Sequence, residues 1–371
     1  MTTLRWRPFR LPMRRRFEAV HGAMADRHGV LLELTDDDGR VGYGEASPIA
    51  SLGYGTVQDV VALLSRHGIA LLYGLAEAMD GRAPGVQALR CALDVAALDL
   101  EGQRAGVPIA ELLSPNVAPS VRVNAVIGEG TPEETARYGT EARAQGYRVL
   151  KVKVGSASLD EDLRRIAALR ETCPDAAIRL DANGAWNEAT ARAALPALHD
   201  LRVELIEQPV APSEVGALSW VRAAAQGEPL IAADESVTDP ATLTRVLEQR
   251  AADYVVLKPM FLGGLRPAYA IARRAAEVGI GAFATTTFDS SIGTAAALQL
   301  ACAIGGTIPG GIAHGLGTGE HLAADLVEHT LLASGGMLAL PDRPGLGVAP
   351  EDAAWARVAE GDWVAADAWN C

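Results

Sequence analysis

From about residue 121 the chain alternates a short apolar run with a longer amphipathic one, and repeats this eight times. The runs that read as β-strands are Val121 to Ile127, Val149 to Val154, Ala177 to Leu180, Val203 to Ile206, Pro229 to Ala232, Tyr254 to Leu257, Gly281 to Thr285 and Gly311 to His314. Their starts lie 25 to 30 residues apart, which leaves room for one strand, one helix and two short loops per unit. Eight such units predict an α/β protein with a (β/α)8-type barrel, a modified TIM barrel. An open doubly wound sheet is the competing architecture, but no G-x-G-x-x-G follows a first strand. Helix boundaries fit the same rhythm: Thr131 caps, Pro132 takes the first helical position and Gly146 ends that helix.

The N-terminal third has another texture. Val30 to Thr35 and Arg40 to Gly44 alternate around Asp38-Gly39, a hairpin signal, and helical patterns follow over Val57 to Ser65, Ala70 to Met79 and Gly85 to Gln103. The expected division is an α+β capping domain over residues 1–118, the barrel over 119–320, and a Gly- and Pro-rich segment over 321–371 that packs back on the cap.

Of 371 residues 49% are hydrophobic and 21% charged, a balance that predicts a folded chain with ample core. The net charge of −13 argues against nucleic acid as partner, since phosphate binding needs concentrated Lys and Arg. The basic cluster Arg5 to Arg16 is broken by Pro8 and Pro12 and reads neither as a signal peptide nor as a membrane helix. Cys91, Cys173, Cys302 and Cys371 show no metal-ligand or disulfide spacing, so a cytoplasmic location with reduced thiols is expected.

Three acidic motifs close consecutive strands: Asp181-Ala-Asn183, Glu207-Gln-Pro209 and Asp234-Glu-Ser236. Lys151-Val-Lys153 precedes them and Lys258-Pro259 follows. Alternate residues of a strand share a face, and the C-terminal strand ends of a barrel surround its active site. Three carboxylates without His or Cys make a hard oxygen site suited to Mg²⁺, with Mn²⁺ as a substitute. Such an ion can chelate a substrate carboxylate and stabilise the dianion left when the adjacent carbon loses its proton. Lys153 must be neutral to act as base, and the like charges of Lys151 and the metal favour that form.

Two further segments line the same mouth. Thr285 to Gly293 opens a helix, so backbone N–H groups at Ser290, Ser291 and Gly293 are candidates to hold a second anion, or Ser290 or Ser291 merely caps the helix. In His314-Gly-Leu-Gly-Thr-Gly319, Gly315 and Gly317 would let a ligand approach the backbone, or form a plain turn. His314 itself reads as a packed histidine.

These motifs, in this order, resemble the enolase superfamily and its muconate-lactonizing subgroup. The pairing of a Lys or His base with Mg²⁺ in that superfamily is a known pattern. The resemblance implies Asp181, Glu207 and Asp234 as metal ligands, Lys153 and Lys258 as opposed lysines, with Lys151 beside them, and Asn183 in contact with substrate. Within the subgroup, Pro12-Met13-Arg14, Gly44-Glu45-Ala46-Ser47-Pro48, Leu257-Lys258-Pro259, Ser290-Ser291-Ile-Gly293 and the His314 to Gly319 stretch are most similar to the o-succinylbenzoate synthases.

That likeness implies a carbon–oxygen lyase of menaquinone biosynthesis: syn-dehydration of 2-succinyl-6-hydroxy-2,4-cyclohexadiene-1-carboxylate to 2-succinylbenzoate, with Ser290 to Gly293 holding the succinyl group. N-succinylamino acid racemisation, or another isomerisation of the subgroup, uses the same metal and lysines and is the alternative. A non-catalytic relative is the remote one, because every expected group is present. The partner implied is a small-molecule carboxylate, and a homo-oligomer is compatible with the resemblance, since such relatives range from monomers to octamers. The stretch from about Phe17 to Arg27 corresponds to a mobile loop that closes over the barrel mouth. Dipeptide epimerases place Asp-x-Asp after strand eight, where this chain has Gly-Leu-Gly-Thr.

Overall fold

The structure is a computed structural model that describes residues 2–19, 22–306 and 311–366. A four-stranded antiparallel sheet opens the chain, built from β1 (Thr3–Ala19), β2 (Gly22–Thr35), β3 (Val41–Ala46) and the C-terminal β13 (Val364–Ala365), in the order β13-β1-β2-β3. The Arg-rich segment is thus one long strand. Pro8 and Pro12 donate no hydrogen bond, yet their carbonyls accept from the N–H groups of Glu360 and Ala323, so the prolines sit where only an acceptor is needed.

Helices Val57–His67 and Val86–Ala105 cover one face of this sheet. The approach is close: a Cβ on Gly44 would fall 1.9 Å from the Ala92 carbonyl oxygen. The predicted helix over Ala70 to Met79 is instead a 3-10 turn over Gly68–Tyr73 and a short helix over Leu75–Ala78, separated by Gly74 in the left-handed region.

The predicted first barrel strand divides. β4 (Ser120–Arg122) pairs with β12 (Met337–Ala339), while β5 (Ala125–Ile127) begins the barrel. Six parallel strands follow: β6 (Val149–Lys153), β7 (Ala177–Asp181), β8 (Val203–Glu207), β9 (Leu230–Ala233), β10 (Tyr254–Leu257) and β11 (Gly281–Ala284). The predicted eighth strand shrinks to the pair His314-Gly315. His314 bridges Val123 and Gly315 bridges Thr285, both parallel, so this pair joins the two ends of the seven-stranded sheet and closes the ring. Between strands the helices start with side-chain caps at Thr131, Ser158, Asn187 and Asp239, each satisfying an otherwise unpaired N–H.

The period-2 rule decides what lies inside the ring. Leu205, Ala232, Val256 and Phe283 form a buried apolar cluster, one on each of β8 to β11. Two residues further along their strands stand Glu207, Asp234, Lys258 and Thr285, which share that inward face. The barrel is therefore plugged by an apolar layer under a charged one.

The C-terminal segment returns to the cap as well: β13 (Val364–Ala365) pairs with β1 at Trp6 and Arg5. Met260 and Phe261, directly after β10, pack into the cap core, and Phe261 stacks on Tyr54 at 3.8 Å. Cys91, Cys173 and Cys302 are buried free thiols, and Cys371 lies outside the described residues. Among the described residues no helix is long and apolar enough to cross a membrane.

Candidate active site

At the C-terminal strand ends a cavity of about 400 Å³ opens, lined by Lys151, Lys153, Asp181, Asn183, Lys258, Gly315 and the Thr285 to Phe288 loop, with cap residues Phe17, Met24, Asp26, Ile49 and Leu52 opposite. β6 and β10 stand four places apart in the ring of eight, so Lys153 and Lys258 enter this cavity from opposed walls.

The charges are tightly interlocked. Lys151 Nζ lies 2.8 Å from Asp181 Oδ2 and 2.7 Å from Glu207 Oε1. Lys153 Nζ donates to Asp181 Oδ2 at 2.6 Å and to Asn183 Oδ1 at 2.8 Å. Lys258 Nζ donates to Asp234 Oδ2. Asp181, Glu207 and Asp234 are all nearly inaccessible to solvent.

Burial alone would lower the lysine pKa values, yet Asp181 and Glu207 hold Lys151 above the ordinary range, and Asp234 with Glu235 does the same for Lys258. Burial would raise the Asp181 carboxyl, and the surrounding lysines drive it well below the usual carboxylate range instead. Glu207 goes the other way: burial, then the charge of Asp181, pushes it up to about 8.

Asn183 sits at the centre of a short relay. Its backbone is in the left-handed region at φ 44°, a conformation Asn tolerates better than most residues. Its Nδ2 donates to Glu235 Oε1 at 2.9 Å, which leaves Oδ1 turned toward Lys153. Sequence reasoning passed over Glu235, the middle residue of Asp-Glu-Ser; the signal available was a second adjacent acid that no turn or cap requires.

A divalent cation fits this cluster by the chemistry of its donors. Asp181, Glu207 and Asp234 offer only oxygen, on adjacent strands, and the buried Glu235 Oε2 has no hydrogen-bond partner. The raised Glu207 marks the same shortage of positive charge. Among the described residues no three His, Cys, Asp or Glu side chains are already gathered as a metal-ligating group, because lysine ammoniums stand among the carboxylates.

Three of the sequence-predicted anion-binding residues lie elsewhere. Ser290, Ser291 and Gly293 are buried and do not line the cavity, since the helix Ser291–Gly305 has its N-terminus filled by carboxylates of the chain itself. Glu45 accepts from Ser290 Oγ, from Ser290 N at 3.3 Å and from Gly293 N at 3.0 Å. Asp325 accepts from Ser291 N at 3.0 Å and Ser291 Oγ at 2.6 Å. A Cβ on Gly293 would meet Asp289 Cβ at 2.7 Å and Glu45 Oε2 at 2.9 Å, so the chain's own side chains require glycine there.

Gly315 does line the cavity, its carbonyl accepting from Thr285 Oγ1 and Thr286 N. Gly317 instead packs inward, where a Cβ would meet the Asn124 carbonyl at 2.6 Å. His314 is buried, its Nδ1 accepts from Ala284 N, and burial followed by Arg179 lowers its pKa to about 3. The predicted loop over Phe17 to Arg27 is the tip of the β1–β2 hairpin, with Val20 and His21 outside the described residues.

Residues 2–114 match the model of the mandelate racemase / muconate lactonizing enzyme N-terminal domain, and residues 134–354 match that of the enolase C-terminal domain-like family. The chain belongs to the enolase superfamily, muconate-lactonizing subgroup. Relatives in this superfamily include an N-succinyl-L-Arg/Lys racemase of Bacillus cereus, 28% identical over 81% of this chain and 84% of the relative. Its crystal structure superposes with a TM-score of 0.89 over 98% of this chain and all of that one, at 26% identity.

An L-Lys-D/L-Arg epimerase of Methylococcus capsulatus is 31% identical over 92% of this chain and 96% of its own. A dipeptide epimerase structure from the same organism, complexed with Mg and the dipeptide L-Arg-D-Lys, gives a TM-score of 0.84 at 30% identity, over 94% of this chain and 99% of that one. A muconate cycloisomerase of Acinetobacter lwoffii is 31% identical over 86% of this chain and 85% of the relative.

These superfamily relatives are isomerases, and they overturn the carbon–oxygen lyase expected from the motifs. The reason is chemical. The lysine and carboxylate motifs are those expected for proton removal beside a carboxylate, the half-reaction that dehydration and racemisation share. The segment assigned to the succinyl group is also the one that Glu45 and Asp325 fill.

Proposed function

We propose that this protein is a Mg²⁺-dependent racemase of N-acylated α-amino acids, with N-succinyl amino acids as the first candidates. The observation that carries the reading is the pair of lysines on opposed walls of one cavity, each held by a carboxylate of an adjacent strand. Racemisation needs a proton acceptor on one face of the reacting carbon and a donor on the other, and a two-lysine site supplies both. Mg²⁺ held by Asp181, Glu207 and Asp234 would bind the substrate carboxylate and lower the energy of the charge that builds on it.

The chain's own groups do the rest. In one direction Lys153 takes the proton from the α-carbon and Lys258 delivers one from the other face; in the reverse direction the roles exchange. Asn183, oriented by Glu235, fixes the Lys153 ammonium at the cavity wall. Lys151, bonded to both Asp181 and Glu207, spaces these two carboxylates. The relatives named for racemisation and epimerisation support this reading. A dipeptide substrate is less suited, because the stretch after the eighth strand reads Gly-Leu-Gly-Thr and offers no acidic pair to meet an ammonium group.

The test is to incubate purified protein with Mg²⁺ and single enantiomers of N-succinyl amino acids in D₂O, following optical rotation and deuterium incorporation. Racemisation with deuterium uptake, lost in Lys153→Ala and Lys258→Ala, is the expected result. Retention of optical activity and of the α-proton across the panel would refute the reading.

A further inference from the structure

The cavity has two unlike walls. Toward the barrel it is the charged layer of lysines and Asp181, and toward the cap it is Phe17, Met24, Ile49 and Leu52, joined by Phe288 of the barrel loop. The rings of Phe17 and Phe288 meet at 4.6 Å between centroids, and both stand edge-on to His321, whose pKa burial lowers. Phe288 adopts φ 61°, a strained backbone for a bulky residue, which places its ring against the cap.

Charge on this wall is already matched. Among the described residues Asp26 is the only carboxylate other than Asp181 that lines the cavity, and its Oδ1 lies 2.9 Å from Arg10 Nε. A substrate ammonium or guanidinium seated here would find the one acid of this wall, Asp26, already paired with Arg10. Burying an unpaired charge is far more unfavourable than burying an alkyl or aryl group.

From this we infer that the substrate side chain is apolar, seated against the contacting rings of Phe17 and Phe288 and bounded by Met24, Ile49 and Leu52, with the Arg10–Asp26 pair acting against cationic side chains. The inference rests on the N-acyl amino acid racemase reading and narrows it. It separates this chain from relatives whose names specify arginine and lysine substrates. In an apolar pocket a single methylene is worth about 10- to 200-fold in kcat/KM, which sets the scale of discrimination expected here.

The experiment compares N-succinyl derivatives of phenylalanine, leucine and methionine with those of arginine and lysine. Both turnover and binding, the latter by calorimetry on the Mg²⁺-loaded protein, are measured for wild type and for Arg10→Ala. Wild type should favour the apolar set at least about tenfold in both measures. Arg10→Ala, at an exposed position, should free Asp26 and raise the arginine and lysine derivatives several-fold relative to leucine.

If nothing turns over but the apolar set still binds more tightly, the side-chain inference stands and the racemase reading fails. Equal or tighter binding of the cationic set by wild type, or no binding of the apolar set, overturns the inference. An Arg10→Ala protein with an unchanged ratio removes the part assigned to Asp26.

Discussion

Two groups of buried carboxylates lie near the barrel mouth, and they have opposite fates. Asp181, Glu207 and Asp234 are paired with lysine side chains beneath the cavity that Asp181 lines, and the adjacent Glu235 keeps Oε2 without a partner. Glu45, Asp289 and Asp325 are enclosed by the chain's own backbone and by Arg27, which donates to the carbonyls of Thr287, Pro48 and Ser47. The first group has spare acceptor capacity and side-chain counter-charges, so it is suited to taking up a cation. The second has its acceptors filled by fixed N–H and O–H donors, so it ties the cap to the barrel. Burial of an acid therefore does not mark a site; an opening onto a cavity together with unfinished hydrogen bonding does.

Four experiments put that contrast at risk. The largest effect is expected from Lys153→Ala and Lys258→Ala, each lowering kcat by about 10²- to 10⁴-fold, the range for a lost general acid or base. Circular dichroism should report an intact fold. A variant that keeps full activity would move the chemistry away from the first group.

Metal removal comes next. EDTA should abolish turnover, and Mg²⁺ should raise the melting temperature of wild type by an amount equivalent to about 2.7 kcal/mol at a hundredfold excess over Kd. The same titration on Glu207→Gln should give little or no shift. An equal shift in both would separate Glu207 from the metal.

Asp325→Ala tests the closed group. It leaves the buried Ser291 N–H and Oγ without their acceptor and should cost about 1–3 kcal/mol in denaturant unfolding, with kcat near that of wild type. A kcat that falls as far as in the lysine variants would erase the distinction between the groups.

The smallest effect is a pH dependence. Burial, then the charge of Asp289, raises Glu45 from 4.5 to about 7. A carboxyl whose pKa is higher in the folded state adds stability that is complete below 4.5 and is lost as pH rises through 7. Wild type should therefore gain on Glu45→Gln as pH falls from 8 to 5, which unfolding curves at the two values would show. A gap that widens in the other direction would mean that Glu45 is held as a fully satisfied anion.

The rhythm of strands and the order of the acidic motifs were legible because both are local. A period of two puts Lys151 with Lys153 and Glu207 above Leu205 whatever surrounds them. The function was less legible, since motifs common to proton abstraction carry no record of the step after it, and the dehydration expectation failed on that point. The surroundings of the anion loop were hidden for a similar reason. Ser290-Ser-Ile-Gly293 has the features of a ligand-binding helix start, but whether a substrate or the protein fills it depends on Glu45 and Asp325, which sequence distance hides.

Local sequence was enough to dictate the barrel, its cap and the set of lysines and carboxylates at the strand ends, because strand periodicity and helix capping act over a few residues. Which groups share a cavity was a matter of tertiary packing alone. Phe17 and Phe288 meet from the cap and the barrel, Glu45 reaches Ser290 across 245 residues, and Arg10 matches Asp26 across a hairpin. Those pairings depend on where the cap docks on the barrel, and docking is set by the packing of surfaces that no local pattern encodes.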